Sequence, residues 1–296
     1  MKNTIKAALV IALISGCAAV SIDLPAISET ATGKHDSGRV VWHDLITTTP
    51  DASRRFYEEL FGWTFESPGI DLGFGGVDSY MLIRHDGRLI GGMVDANSMN
   101  AENNISQWIT VMSVDDIDAA VSSLERGGGT VLTPPTVLAS RGTLAVAHDP
   151  SGAIFAMVQT VAGDPPPAER LVNDFLWDEL WTIDVEDHTR FYSSVFGYDS
   201  EDRELGAAAK SYRVLNQQDA PQVGIMANPF TGERPVWVNY LRVDDPAAIA
   251  SRVEGLGGSI LLDTQDRDIG GKVALIAGPS GAGIALQTWP LDGEQQ

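Results

Sequence analysis

The sequence predicts an α+β fold of two tandem domains, each a pair of βαβββ modules forming a curved sheet around a cavity. Three observations carry that expectation. WHDLITTTPDASRRFYEELFGW, Trp42 to Trp63, returns as WDELWTIDVEDHTRFYSSVFGY, Trp177 to Tyr198, at an offset of 135 residues. WITVMSVDD, Trp108 to Asp116, returns as WVNYLRVDD, Trp237 to Asp245, at an offset of 129, and Pro150-Ser151-Gly152 returns as Pro279-Ser280-Gly281 at the same offset. Finally, a chain of 296 residues is too long for one small core and suits two domains.

The first element is a leader. MKNTIKAALVIALISGCAAV opens with Lys2 and Lys6, runs apolar from Ala7 to Ile14 and ends in small residues around Cys17. That is the order of a secretory signal, and the apolar run is too short to span a bilayer as a helix. Ile14-Ser15-Gly16-Cys17 resembles a bacterial lipobox, in which the cysteine is lipidated and becomes the mature N-terminus. Residues 1–16 are therefore expected to be a signal peptide, and Cys17 a lipidation site and membrane anchor. As the sole cysteine it forms no intrachain disulfide, so stability must come from the core. Ala18 follows it where inner-membrane lipoproteins carry Asp, which favours the periplasmic face of the outer membrane. The stretch 17–37 lacks apolar periodicity and is rich in Ser, Thr, Ala and Gly, which predicts a flexible tether spanning about 25 Å on average.

Charge excludes one class of partner. Loss of residues 1–16 removes two lysines and no acid, leaving 18 basic residues against 40 acidic ones. With no basic cluster to offset it, such a surface repels nucleic acid.

The first domain is expected over residues 38–162 and the second over 171–290, with 163–170, containing Pro165-Pro166-Pro167, as the linker and 291–296 as a tail. Each copy of the first repeat begins with strand-like alternation and passes into a helix with Phe56 and Leu60, or Phe191 and Val195, at i, i+4 spacing. Gly62 and Gly197 are placed to stop those helices. Strands follow at Ser79–Ile83 and Leu89–Met93, and at Ser211–Leu215 and Val223–Met226. The second repeat supplies another strand, a helix (Ala119 to Leu124; Ala247 to Val253), a glycine stop and further β-rich runs.

A helix ending in FYxxLFGW, with a later DPSGAIFAMVQ strand, resembles the vicinal oxygen chelate superfamily of glyoxalases, bleomycin-resistance proteins and extradiol dioxygenases, in two tandem copies. The resemblance implies metal ligands from a His or Gln in the first strand of a module and from a Glu four residues after the DPxG glycine. Here those positions hold Trp42, Ile109, Trp177 and Val238, and then Ala156 and Ala285. None can bind a divalent ion, so no metal and no other cofactor is expected. A one-residue shift of the first strand would instead offer His43, with Gln159 at a far strand end, as the alternative metal ligands. The remaining histidines, His35, His85, His148 and His188, read as turn or surface residues.

In the unshifted register the cavities would receive Trp42 and Asp44 in the first domain, and Trp177, Glu179, Trp181, Tyr240 and Arg242 in the second. Aromatic rings with an acid and an arginine suit a small aromatic or cationic guest. An enclosed Asp44 or Glu179 is the only candidate for general-base catalysis, and no nucleophile or oxyanion site accompanies it. The expected function is that of an envelope-anchored, metal-free protein that binds or sequesters a small molecule. The alternatives are an enzyme of the lyase or dioxygenase type with an unrecognised site, and an envelope protein acting through surface contacts. Oligomeric state is not legible.

Overall fold

The computed structural model describes residues 22–70, 72, 76, 78–97, 104–205, 210–230, 232, 234–267 and 271–289. The expected signal peptide, Cys17 and the expected tail lie outside the described residues. Among those described, no helix is long and apolar enough to cross a membrane.

The described residues build two eight-stranded mixed sheets with four α-helices. The first sheet contains β1 (Val40–Thr47), β2 (Thr64–Glu66), β3 (Tyr80–His85), β4 (Arg88–Asp95), β5 (Gln107–Ser113), β6 (Thr130–Val137), β7 (Gly142–His148) and β8 (Ile154–Thr160). Its strand order is β2-β3-β4-β1-β5-β8-β7-β6. The second sheet repeats it as β10-β11-β12-β9-β13-β16-β15-β14. Its strands are β9 (Phe175–Thr182), β10 (Asp199–Leu205), β11 (Lys210–Gln217), β12 (Ala220–Ala227), β13 (Val236–Arg242), β14 (Ser259–Asp266), β15 (Lys272–Ala277) and β16 (Gly283–Gln287). Within a module the first and last strands run parallel, as Asp44↔Gly92 and Val111↔Ala156 show, while two modules join through the antiparallel pair β1/β5 or β9/β13. This is the tandem α+β architecture expected from the repeats.

The helices are α1 (Pro50–Phe61), α2 (Ile117–Arg126), α3 (Val185–Phe196) and α4 (Pro246–Val253). Asp116, Asp184 and Asp245 cap three of them by accepting backbone N–H groups of the first turn. Gly62 and Gly197 end α1 and α3 in the left-handed conformation, at φ 69° and 76°.

The helices lie between the two sheets, and the core there crosses the domain boundary. Phe56, Tyr57 and Trp63 pack with Leu241, Val253 and Ile276 of the other half. Reciprocally, Phe191, Tyr192 and Phe196 pack with Met112, Leu124 and Phe155. The repeated FY pair therefore does the same work twice. Tyr57 and Tyr192, both fully buried, accept hydrogen bonds from Trp108 Nε1 and Trp237 Nε1 at 3.0 Å each. Apolar burial of this kind contributes about 25 cal/mol per Å², so each half draws stability from its neighbour.

Two expectations fail. The stretch from residue 22 to 37 is not a free tether: Ile22, Leu24 and Ile27, 4–5% exposed, join the cluster on the inner face of the first sheet. Further along, Thr32 N and Gly33 N donate to the carbonyls of Asp164 and Ala162, and Asp164 N donates to Lys34 O. The apolar residues fall at positions 22, 24 and 27, too few to register as periodicity, yet the cavity gives them partners. Nor are His85 and His188 surface residues. His85 Nδ1 lies 2.7 Å from Asp174 Oδ1 and His188 Nε2 lies 3.2 Å from Asp149 Oδ2, and both rings are buried between the halves.

Candidate functional site

The inner face of each sheet centres on one carboxylate, and a glycine makes room for it. Gly92 and Gly224 stand beside Asp44 and Glu179 in the parallel pairs β1/β4 and β9/β12. A Cβ at Gly92 would collide with the Tyr80 hydroxyl and the Asp44 carboxylate, and one at Gly224 with the Tyr212 hydroxyl. The missing side chain lets each tyrosine reach across β4 or β12 to the acid.

In the second domain Glu179 Oε1 accepts from Tyr212 Oη at 2.9 Å, and Oε2 accepts from Tyr240 Oη at 2.5 Å and Trp181 Nε1 at 3.1 Å. Arg267, at the β14–β15 turn, brings a guanidinium to 3.8 Å from Oε1 and lies over the Tyr240 ring. Trp177 Nε1 donates to Tyr212 Oη at 2.7 Å. Burial first, and then the adjacent Glu179 charge, push both tyrosine hydroxyls well above the usual phenol range. They remain protonated donors, and Glu179, 1% exposed, is held by three neutral donors and one cation.

The first domain has a smaller version. Asp44 Oδ1 accepts from Trp42 Nε1 and Tyr80 Oη, both at 2.9 Å. Arg141 donates to Tyr80 Oη at 2.7 Å and stacks over the Trp42 ring. Here the mouth is filled by the chain itself. Arg141 Nε donates to Pro25 O and Ser140 N to Asp23 Oδ1, which places Ile22 and Leu24 in the walls of a residual, almost wholly apolar cavity of about 60 Å³.

The structure thus brings Trp177, Glu179, Trp181 and Tyr240 together, and separately Trp42 and Asp44. Arg242 is the exception. It donates to the carbonyl of Arg170 at 2.6 Å instead of pairing with Glu179. It is the last residue of β13, beside a bulge in β9 where Tyr240 pairs with Trp177 but Leu241 with Phe175 and Leu176 is left extra. Arg267 takes the role assigned to Arg242. Tyr80, Tyr212, Arg141 and Arg267 were not singled out from the sequence. The two tyrosines carried a signal, since each follows a serine and precedes the glycine strand in both repeats.

His43 points away from the cavity. Its Nε2 lies 2.9 Å from Asp178 Oδ1, its ring stacks on Phe175 at 3.7 Å, and Asn239 Nδ2 donates to the same Asp178 oxygen at 2.6 Å. Gln159 Oε1 instead accepts from Ile117 N at the start of α2. The two alternative metal ligands therefore have separate partners. Around the carboxylates the family's ligand positions carry Trp42, Ile109 and Ala156, or Trp177, Val238 and Ala285, and the described residues contain no group of three His, Cys, Asp or Glu side chains able to hold a metal. This donor set does not fit a divalent ion.

Comparison with known proteins agrees with the architecture. Over 252 residues the chain is 31% identical to "Putative glyoxylase CFP32" of Mycobacterium tuberculosis, covering 84% of this chain and 94% of that protein. It is 29% identical over 263 residues to anthracycline biosynthesis protein DauV of a Streptomyces species, covering 84% and 92%. Among solved structures, the Mn(II)-bound glyoxalase from Novosphingobium aromaticivorans superposes with a TM-score of 0.55 at 19% identity, over 87% of this chain and 83% of that one. The 2,2',3-trihydroxybiphenyl 1,2-dioxygenase from Sphingomonas wittichii strain RW1 gives 0.56 at 15%, over 87% and 93%. Residues 39–157 match the family described as the Glyoxalase/Bleomycin resistance protein/Dioxygenase superfamily, and with two such domains in tandem the chain belongs to it.

Proposed function

We propose that this protein binds a small planar molecule in the cavity of its second domain without a metal ion. The Glu179 cluster carries the reading: one buried carboxylate fixed by Tyr212, Tyr240, Trp181 and Arg267, where metal-dependent relatives need ligands and this chain supplies Trp177, Val238 and Ala285. A preorganised acceptor beside indole and phenol rings favours a flat guest that donates a hydrogen bond. The Streptomyces relative named for anthracycline biosynthesis points the same way, an anthracycline being a fused planar ring system.

The test is a tryptophan-fluorescence titration of metal-free protein with phenol, catechol and indole. Saturable quenching that is lost in Trp177→Ala and Glu179→Gln is expected. Binding that requires added manganese, iron, nickel or zinc would overturn the reading.

The same proposal places the protein in the cell envelope, held by lipid on Cys17. Ile22 is docked only five residues beyond the cysteine, so an extended chain would hold the first domain within roughly 17 Å of the anchor. Fractionation of a Cys17→Ser strain should move the protein from the membrane to the soluble fraction or leave it unprocessed. Unchanged processing and sedimentation would refute the anchor.

A further inference from the structure

A separate groove of about 880 Å³ runs between the two domains beneath the linker. It is assembled from equivalent parts of both halves: the opening residues of β1 and β9, the β3–β4 and β11–β12 turns, and Pro165–Arg170 along one side. We propose that this groove is a second ligand site and that it takes a small planar organic carboxylate.

Size is the first argument, since small-molecule sites occupy about 300–1,000 Å³ and favour domain junctions. Charge is the second. Acidic residues outnumber basic ones 40 to 20 in this chain, yet Arg170 and Arg242, both lining the groove, form no ion pair with a carboxylate among the described residues. Arg242 uses one nitrogen to bind the Arg170 carbonyl and leaves its Nε enclosed without a partner. The acids of the groove are better supplied. Asp174 is paired with His85 and Arg88, and Asp178 with His43 and Asn239. Glu29 and Glu169 lie at the rim and face solvent. Arg170 is open to solvent at the groove's edge and lies in the favourable field of Asp178. Each guanidinium has free N–H groups, and the planar fork of such a group matches a carboxylate.

Aromatic walls supply the third argument. Phe175, Trp177 and Trp289, all half-buried, line the same groove and give it the aromatic surface that suits a flat guest, although His43 covers one face of Phe175. Trp177 keeps its indole N–H on the Tyr212 hydroxyl of the Glu179 cluster, so it meets a groove ligand through its ring alone. Glu179 itself does not line the groove, and a carboxylate bound beside it would meet like charge. That difference separates the two sites experimentally.

Titration calorimetry with benzoate and 2-naphthoate, with benzamide and 2-naphthamide as uncharged controls, tests the proposal on the whole chain. The carboxylates should bind about tenfold or more tightly than the amides, and Arg170→Ala should weaken them by a similar factor while leaving the amides unchanged. Arg242→Ala should do the same. Arg242→Lys, which keeps the charge and can still reach the Arg170 carbonyl, should recover part of the binding. Glu179→Gln should leave carboxylate affinity within about twofold of wild type. Equal binding of acids and amides, undiminished binding in Arg170→Ala, or no binding at millimolar ligand would each overturn the proposal. Loss of carboxylate binding in Glu179→Gln alone would also overturn it and move the ligand to the second cavity.

Discussion

The two cavities began as the same object and now differ in who occupies them. In the first, Asp44 is half-buried, supported by Trp42, Tyr80 and, through Tyr80, Arg141, and the entrance is packed with Ile22 and Leu24. In the second, Glu179 is enclosed by twice as many direct partners, and Phe230 and Trp289, rather than an N-terminal segment, pack against the surrounding cluster. A duplicated scaffold has assigned one hydrophobic bowl to its own N-terminal strap and kept the other polar. On the proposed function, stability and binding are thereby divided between copies of one site.

That division is broken or sharpened first by removing the acids. Glu179→Ala strands Tyr212, Tyr240, Trp181 and Arg267 together and should destabilise the protein by about 3–5 kcal/mol in urea denaturation. Asp44→Ala loses two neutral hydrogen bonds and should cost about 1–3 kcal/mol. An equal or reversed order would mean that the two clusters are energetically alike. Next comes the strap. Leu24→Ala should cost about 2 kcal/mol, the low end for a core leucine, because undocking of the segment limits the loss. It should also raise binding of a hydrophobic dye, and an unchanged dye signal would deny that the strap seals the cavity.

At the junction between the halves, His43→Ala leaves Asp178 with Asn239 and Thr110 and should cost about 1–2 kcal/mol by the same measurement. The smallest effect is pH-dependent. Burial opposes the charge on His188, but hydrogen bonds to Asp149 and the Asp184 carbonyl outweigh it and raise its pKa. Burial likewise opposes charge on Asp149, yet His188 and the backbone donors of the turn hold its pKa down. The histidine's contribution is full below the pH where unfolded histidine titrates, about 6.5, and fades as pH rises through the folded value. The aspartate's contribution is present above the ordinary carboxylate range and is lost on acidification. Stability should therefore peak between those limits, and His188→Gln should flatten the decline as pH rises past the unfolded histidine value. Parallel curves for the two proteins would show that the pair is energetically silent. The equivalent contact between α1 and the β15–β16 turn has nothing comparable, with Ser53 and Gly278 at the matching positions.

How far these features were legible depended on whether they repeated. Module boundaries, helix stops and the inward face of β1 and β9 could be read because each occurs twice with the same spacing. The Glu179 acid and its tryptophans followed from strand alternation alone. Arg267 did not, because it sits in a turn where no period assigns a direction. Arg242 misled because alternation assigns a face but not a partner, and at the end of β13 its long side chain meets the Arg170 carbonyl. The strap was read as a tether because its composition is that of a linker. Only the cavity reveals that Ile22, Leu24 and Ile27 share a face. The buried histidines were misplaced for a related reason: they are turn and helix-start residues of one half, covered only by the other.

His43 and Asp178 occupy the same place in the two repeats and meet each other across the junction. Were the first half to pair with a second copy of itself, two imidazoles would confront each other there. Two copies of the second half would oppose two buried carboxylates, the worse arrangement. Only the mixed pairing sets base against acid. Thr110 and Asn239, likewise equivalent, repeat the logic beside them, one presenting a hydroxyl and the other an amide at 2.7 Å. The fused chain therefore carries a lock for heterologous assembly, written in the residues that duplication left free to diverge.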